Sequence, residues 1–172
     1  MAIVPILQYP DARLRQLADP VPVCDKEIAT IVNNMYDTMM DARGLGLAAP
    51  QIGVGLQIVV VDFAALSRNE YGKLCFINPT ILSREGIQYD NYGCLSVPNY
   101  NGGANVERAA TVVVAALNQD GEEFTMTLSG DLAICIQHEL DHLVGKLYID
   151  YLSPLKKALL TKAMAKRQRG KA

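Results

Sequence analysis

The residues of this 172-residue chain best equipped for chemistry are His138, Glu139 and His142, in the run His138-Glu139-Leu140-Asp141-His142. They lie in an apolar segment, residues 131–144, that reads as a buried helix. On a helix, residues four apart lie one above the other on one face. Two imidazoles so placed can hold one metal ion. Glu139 points about 100° around the same turn, near enough to act on a metal-bound water without being a ligand. These are the chain's only two histidines, and a core helix carrying two chance histidines does not explain the glutamate between them.

A catalytic metal site usually takes three protein ligands and leaves a position for water. Cys135 is the nearest further candidate, but it lies about 7.5 Å along the helix axis from a metal held between residues 138 and 142. Metal–sulfur bonds are about 2.3 Å, so Cys135 is expected to line a pocket as a small apolar group. Cys94, in Tyr92-Gly93-Cys94-Leu95-Ser96-Val97-Pro98, is the better candidate. Glycine and proline bound its segment, which can carry a thiolate to the metal.

Ser129 is expected to cap the metal helix, Asp131 places negative charge in its first turn, and Gly145 follows its end. Asp25 is expected to cap an earlier helix running to about Ala42. Its apolar positions Ile28, Ile31, Val32, Met35 and Met39 follow three-and-four spacing. Such a methionine stripe is core. Residues 44–53, Gly-Leu-Gly-Leu-Ala-Ala-Pro-Gln-Ile-Gly, follow that helix and precede a strand. A phosphate loop runs in the reverse order, so this segment reads as a turn presenting backbone amides and the Gln51 amide to a small site.

Residues 56–63, 74–82, 86–89, 108–117 and 122–128 have strand-like content, the last two joined by the hairpin signal Asn118-Gln119-Asp120-Gly121. Residues 3–7 and 146–152 read as short extended pieces. Tyr9-Pro10-Asp11-Ala12 reads as a turn opening into a brief helix. Ser153-Pro154 starts a final basic helix, with Leu155, Leu159 and Leu160 expected to anchor its start on the domain. The order α, antiparallel β, α predicts an α+β fold: antiparallel β-sheets packed around a central metal-binding helix, with a C-terminal helix. A single domain, 1–172, is expected, with 153–172 as its basic tail.

The formal net charge is −2, but it is unevenly placed. Residues 1–152 hold all 18 acidic and 9 of the 16 basic residues, a formal −9; residues 153–172 hold 7 basic residues and no acid. Four cysteines without regular spacing do not form a disulfide framework. The N-terminus lacks the basic and apolar regions of a signal peptide, and no run approaches a membrane span. Cytoplasmic location is expected, with neither DNA nor membrane as a partner.

Residues 44–51 (Gly-Leu-Gly-Leu-Ala-Ala-Pro-Gln), 93–96 (Gly-Cys-Leu-Ser) and 137–142 (Gln-His-Glu-Leu-Asp-His) resemble, in order, the three motifs of the peptide deformylases. The similarity runs from Tyr9–Leu14 to Tyr151–Pro154. The resemblance implies hydrolytic removal of the formyl group from N-formylmethionyl nascent peptides, by a metal-activated water. It implies one divalent ion on Cys94, His138 and His142, natively ferrous iron (Fe2+), with Zn2+ or Ni2+ able to replace it. The residues alone do not choose, because a two-nitrogen, one-sulfur site suits zinc and ferrous iron alike.

Glu139 would then be general base and acid. The Gln51 side chain and the Leu95 backbone N–H would stabilise charge on the formyl oxygen. Leu45 and Gly46 would hold the substrate backbone as an added strand. Leu45, Ile134 and Cys135 would line the methionine pocket. The basic tail would dock on the ribosome, and the chain is expected to act as a monomer.

Three places depart from the family pattern. Tyr92 stands where bacterial members commonly have a glutamate that pairs with an arginine, here Arg108. Residues 99–107 are about two residues longer than expected, and Asp131 replaces an apolar residue near the pocket mouth. Two other classes remain: a zinc peptidase, which usually takes a third His or a Glu as ligand, and a non-catalytic binding module on the same fold.

Overall fold

The computed structural model describes residues 2–66, 72–98 and 105–169. Four helices run over Lys26–Asp41 (α1), Phe63–Leu66 (α2), Asp131–Leu143 (α3) and Pro154–Arg169 (α4). Seven strands span Gly46–Ala48 (β1), Ile58–Asp62 (β2), Lys73–Glu85 (β3), Gln88–Asp90 (β4), Val106–Arg108 (β5), Thr111–Leu117 (β6) and Glu123–Ser129 (β7). A five-stranded antiparallel sheet has the order β1-β2-β3-β6-β7, and β4 pairs with β5 in a second, two-stranded sheet. This is the expected α+β fold with its C-terminal helix.

Side-chain alternation along β2 explains how one sheet serves two helices. Val59 and Val61 face one way and pack with Ala133, Ile136 and Leu143 of α3. Ile58 and Val60 face the other way, onto Val32, Met35 and Met39 of α1. A strand buried on both faces reads as a continuous apolar run, and here it is Ile-Val-Val-Val. The Asp25 carboxylate caps α1 as expected, accepting from the N–H groups of Glu27 and Ile28 at 2.9 and 3.0 Å.

Four expectations are corrected. Ser129 does not cap α3: it is the last residue of β7, where its hydroxyl meets that of Thr111 at 3.1 Å. The chain turns instead at Gly130, whose φ of 59° suits glycine. Residues 108–117 are not one strand. The Gln137 side chain accepts from Ala109 N–H and donates to Ala109 C=O, both at 3.0 Å, and so replaces the ladder partner there. Residues 44–53 are more than a turn, because Gly46–Ala48 forms the edge strand β1 before a 3-10 turn over Ala49–Ile52. Residues 146–152 are not extended. Asp150 accepts from Leu147 N–H at 2.9 Å and folds Tyr148–Tyr151 into a 3-10 turn.

Asp150 also joins the two ends of the chain, taking the Arg15 guanidinium and, at 2.6 Å, the Lys157 ammonium of α4. Burial works to raise its pKa, but these donors bring it down to about 2. A folded-state pKa below the ordinary 3.8 stabilises the fold fully above about pH 4, and that contribution is lost as pH falls toward 2. In thermal unfolding, the wild type should therefore lose more stability across this interval than Asp150→Asn. Equal losses would show that the cluster contributes nothing.

Candidate active site

Helix α3 carries His138, Glu139 and His142, all buried. The two imidazole centroids are 5.2 Å apart. Cys94 arrives in a turn closed by the Val97 N–H, which donates to Cys94 C=O at 2.9 Å. Its Sγ lies 3.4 Å from His142 Nε2, and one ligand atom from each of Cys94, His138 and His142 falls within 4.8 Å of the others. Bonds of about 2.3 Å to sulfur and 2.0–2.1 Å to nitrogen, set tetrahedrally, need ligand atoms spaced much like the Cys94–His142 pair. The three residues fit a divalent ion. Burial pushes His142 well below its usual pKa, which favours the neutral imidazole that ligation requires.

Glu139 is 5% exposed, and its Oε2 has no hydrogen-bond partner among the described residues. Burial pushes its pKa up to about 7, against the pull of His138 and Arg108. A carboxylate poised there can both take and return a proton near neutrality. Its position depends on Gly46 of β1, where an added Cβ would lie 2.7 Å from Glu139 Oε1 and 2.8 Å from its Cγ. Gly46→Ala must push the carboxylate aside, and a misplacement of about 1 Å can cost roughly 100-fold in rate. The expected result is a drop of that order in kcat with metal content and thermal stability retained. A variant as fast as wild type would show that this contact does not set the carboxylate.

The Gln51 amide is oriented on both sides. Its Oε1 accepts from Ala48 N–H at 2.8 Å, so Nε2 faces Ser96 Oγ at 3.1 Å and Cys94 Sγ at 4.0 Å. Behind the histidines sits a buried ion network. Asp90 Oδ2 is 3.7 Å from His138 Nδ1 and 3.5 Å from Arg108 Nε, and Asp90 Oδ1 accepts from Tyr92 N–H at 2.9 Å. Arg108 Nη1 donates to Asp141 Oδ2 at 2.6 Å, which also takes the Tyr151 hydroxyl at 2.9 Å. Burial raises the Asp90 pKa, but His138, the Tyr92 N–H and Arg108 hold it below the usual carboxylate range. Asp90 leaves the other nitrogen of His138, Nε2, for a metal.

All of this opens onto a cavity of about 310 Å3. Leu45, Ile134 and Cys135 line it together with Cys94, His138 and Glu139. Burial holds the Cys135 thiol well above its ordinary pKa, consistent with its place in the wall outside the three-ligand group.

The family model of polypeptide deformylases matches residues 3–158 of this sequence. The chain belongs to the polypeptide deformylase family. A peptide deformylase of Pseudoalteromonas translucida is 49% identical over 166 residues, 96% of each chain. The crystal structure of a peptide deformylase from Legionella pneumophila superposes with a TM-score of 0.89 at 45% identity, covering 99% of this chain and 98% of that one. That from Ehrlichia chaffeensis in complex with actinonin gives 0.90 at 34% identity, covering 98% and 99%. As a deformylase, the chain is an enzyme, a metal-dependent hydrolase.

The deformylase pattern also clarifies the departures. Arg108 does pair with acids, Asp141 at 2.6 Å and Asp90 at 3.5 Å, and neither stands at position 92. Tyr92 lines the cavity, where it meets Asp131. Of the longer segment, residues 99–104 lie outside the described residues. Sequence reasoning missed Asp90, Ser96 and Arg43. Ser96 belongs to the second deformylase motif and Arg43 precedes the first, so both were within reach. Asp90 was not, since only the fold brings β4 behind His138.

Proposed function

We propose that this chain hydrolyses the formyl group from the N-terminal formylmethionine of nascent polypeptides, releasing formate. The reading rests on the convergence of Cys94, His138 and His142 beside a buried Glu139, one of whose carboxylate oxygens has no hydrogen-bond partner among the described residues. Bound by these three, a divalent ion supplies acidification of a water and polarisation of the formyl oxygen. Ferrous iron is the proposed native ion, with zinc or nickel as substitutes.

Glu139 takes the proton of the attacking water and later delivers it to the leaving amine, which prevents expulsion of an amide anion. Gln51 Nε2 and the Leu95 N–H donate to the oxygen on which charge develops. Strand β1 has β2 on one side only, so Leu45 and Gly46 can pair with the substrate backbone as a further strand. The methionine side chain then enters the wall formed by Leu45, Ile134 and Cys135.

The deciding experiment compares formate release from formyl-Met-Ala-Ser with cleavage of an internal peptide bond. Formate release alone is expected. Cleavage of the internal bond would replace this reading by a zinc peptidase. Actinonin, held by the Ehrlichia chaffeensis relative, should block the release.

Among the described residues no helix is long and apolar enough to cross a membrane. We assign α4 to ribosome docking. Its anchors differ from simple expectation. Leu155 and Leu159 are 71% and 61% exposed, whereas Leu160 and Met164 are buried against the domain, and Thr161 meets the Tyr9 hydroxyl at 3.0 Å. Lys156, Lys162 and Lys166 stay exposed; Lys171 and the side chains of Arg167 and Arg169 lie outside the described residues. Truncation after Ala165 keeps every anchor. It should leave formate release from a short peptide intact and weaken ribosome binding at low salt, where phosphate contacts count most. Unchanged binding would make the tail a solvated surface only.

A further inference from the structure

A second cavity, of about 680 Å3, borders another face of α3. The helix turns Ile134, Cys135 and His138 to the active site, and Gln137, Leu140, Asp141 and Val144 to this second hollow. The latter four follow the three-and-four spacing of a single helical face. The facing wall is β3, which contributes residues 79–81 and Arg84. Its pairing with β6 shifts register between Ile77 and Thr80, and again between Ile81 and Ser83. Such shifts bend a strand locally, and both fall where β3 borders the hollow. The volume is within the range of small-molecule sites, roughly 300–1,000 Å3.

The lining combines open apolar surface with cations that lack an acid. Ile87 and Val144 both border the cavity and are 66% and 58% exposed. Arg84 and Lys146 border it too, both exposed, and neither forms an ion pair among the described residues. The Lys146 ammonium rests 4.0 Å from the centroid of the Tyr151 ring. Arg108 and Asp141 belong to the same lining, but they bond each other at 2.6 Å and cancel. Glu107 is the one other acid of the lining and is exposed. Two cations against one carboxylate leave a single positive charge beside apolar surface.

We propose that this second cavity binds a singly charged organic anion, with a carboxylate head drawn to Arg84 and Lys146 and an acyl-like body along Ile81, Leu140 and Val144. The planar fork of the Arg84 guanidinium matches a carboxylate. Glu107 repels any head of higher charge. The cavity shares no lining residue with the active site, so both can be filled at once.

The test is calorimetric titration of decanoate, decylammonium and acetate into the metal-loaded enzyme, with and without actinonin. Decanoate should bind at one equivalent and equally well in both cases. Decylammonium should bind at least about tenfold more weakly, the scale of exposed charge contacts turned from attraction to repulsion. Acetate should not bind measurably, because it has no body to bury. Arg84→Glu and Lys146→Glu should each weaken decanoate by roughly fivefold, while thermal unfolding stays as in the wild type. Glu107→Gln should tighten it, and these effects should shrink at high salt. Displacement of decanoate by actinonin would put the anion on the metal and overturn the second site. Equal affinity for decylammonium, or unchanged affinity in both charge-reversed variants, would show a hollow that reads no charge and would also overturn it. Absence of decanoate binding at millimolar concentration would do the same.

Discussion

Glu139→Ala is expected to keep its metal ion and to lose at least about 1,000-fold in turnover. General acid–base catalysis contributes roughly 100- to 10,000-fold in one proton transfer, and here one carboxylate serves two transfers. The ligands Cys94, His138 and His142 form a group without it, so metal stoichiometry should be unchanged. Metal analysis and formate release on the same sample separate the two roles. A variant that has shed its ion would make Glu139 a ligand or a ligand support, and the division of labour would have to be redrawn.

Cys94→Ala should act the other way, on the metal first. It removes the only sulfur of the group and the only ligand that is not on α3. Losing a residue that merely orients a ligand typically costs 10- to 100-fold in affinity, and losing the ligand itself should cost more. Dialysis against a weak chelator should strip the variant while the wild type stays loaded. If Cys94→Ala retains one equivalent of ion through that treatment, the thiolate is not what holds it. Gln51 Nε2 faces Cys94 Sγ at 4.0 Å, so some loss of positioning of the Gln51 amide should accompany the loss of metal.

The sequence spoke most clearly where a contact is local. His138, Glu139 and His142 sit on one helix at fixed spacing, so their relation follows from 3.6 residues per turn. The Asp25 cap and the Ile58–Val61 strand were legible for the same reason. Contacts that cross the fold were not. Nothing in residues 108–117 says that Gln137 will interrupt the ladder at Ala109, because the interruption is made by a side chain from α3. The tail misled in a similar way. Leu155, Leu159 and Leu160 are equally apolar, but the Arg15–Asp150–Lys157 cluster and Thr161 set the helix so that Leu160 and Met164 turn inward. Asp90 was invisible because its meaning comes from Arg108 and His138, which reach it only through the pairing of β4 with β5.

The acid at position 90 constrains what position 92 can hold. Arg108 is already shared between Asp90 and Asp141, and Asp131 stands across the cavity mouth from Tyr92. A glutamate returned to position 92 would find its cation taken and a like charge opposite, and like charges at close range disfavour one another's ionised form. Positions 90, 92 and 131 are thus electrostatically coupled: with Asp90 and Asp131 in place, a neutral side chain at position 92 suits the mouth of the pocket better than an acid.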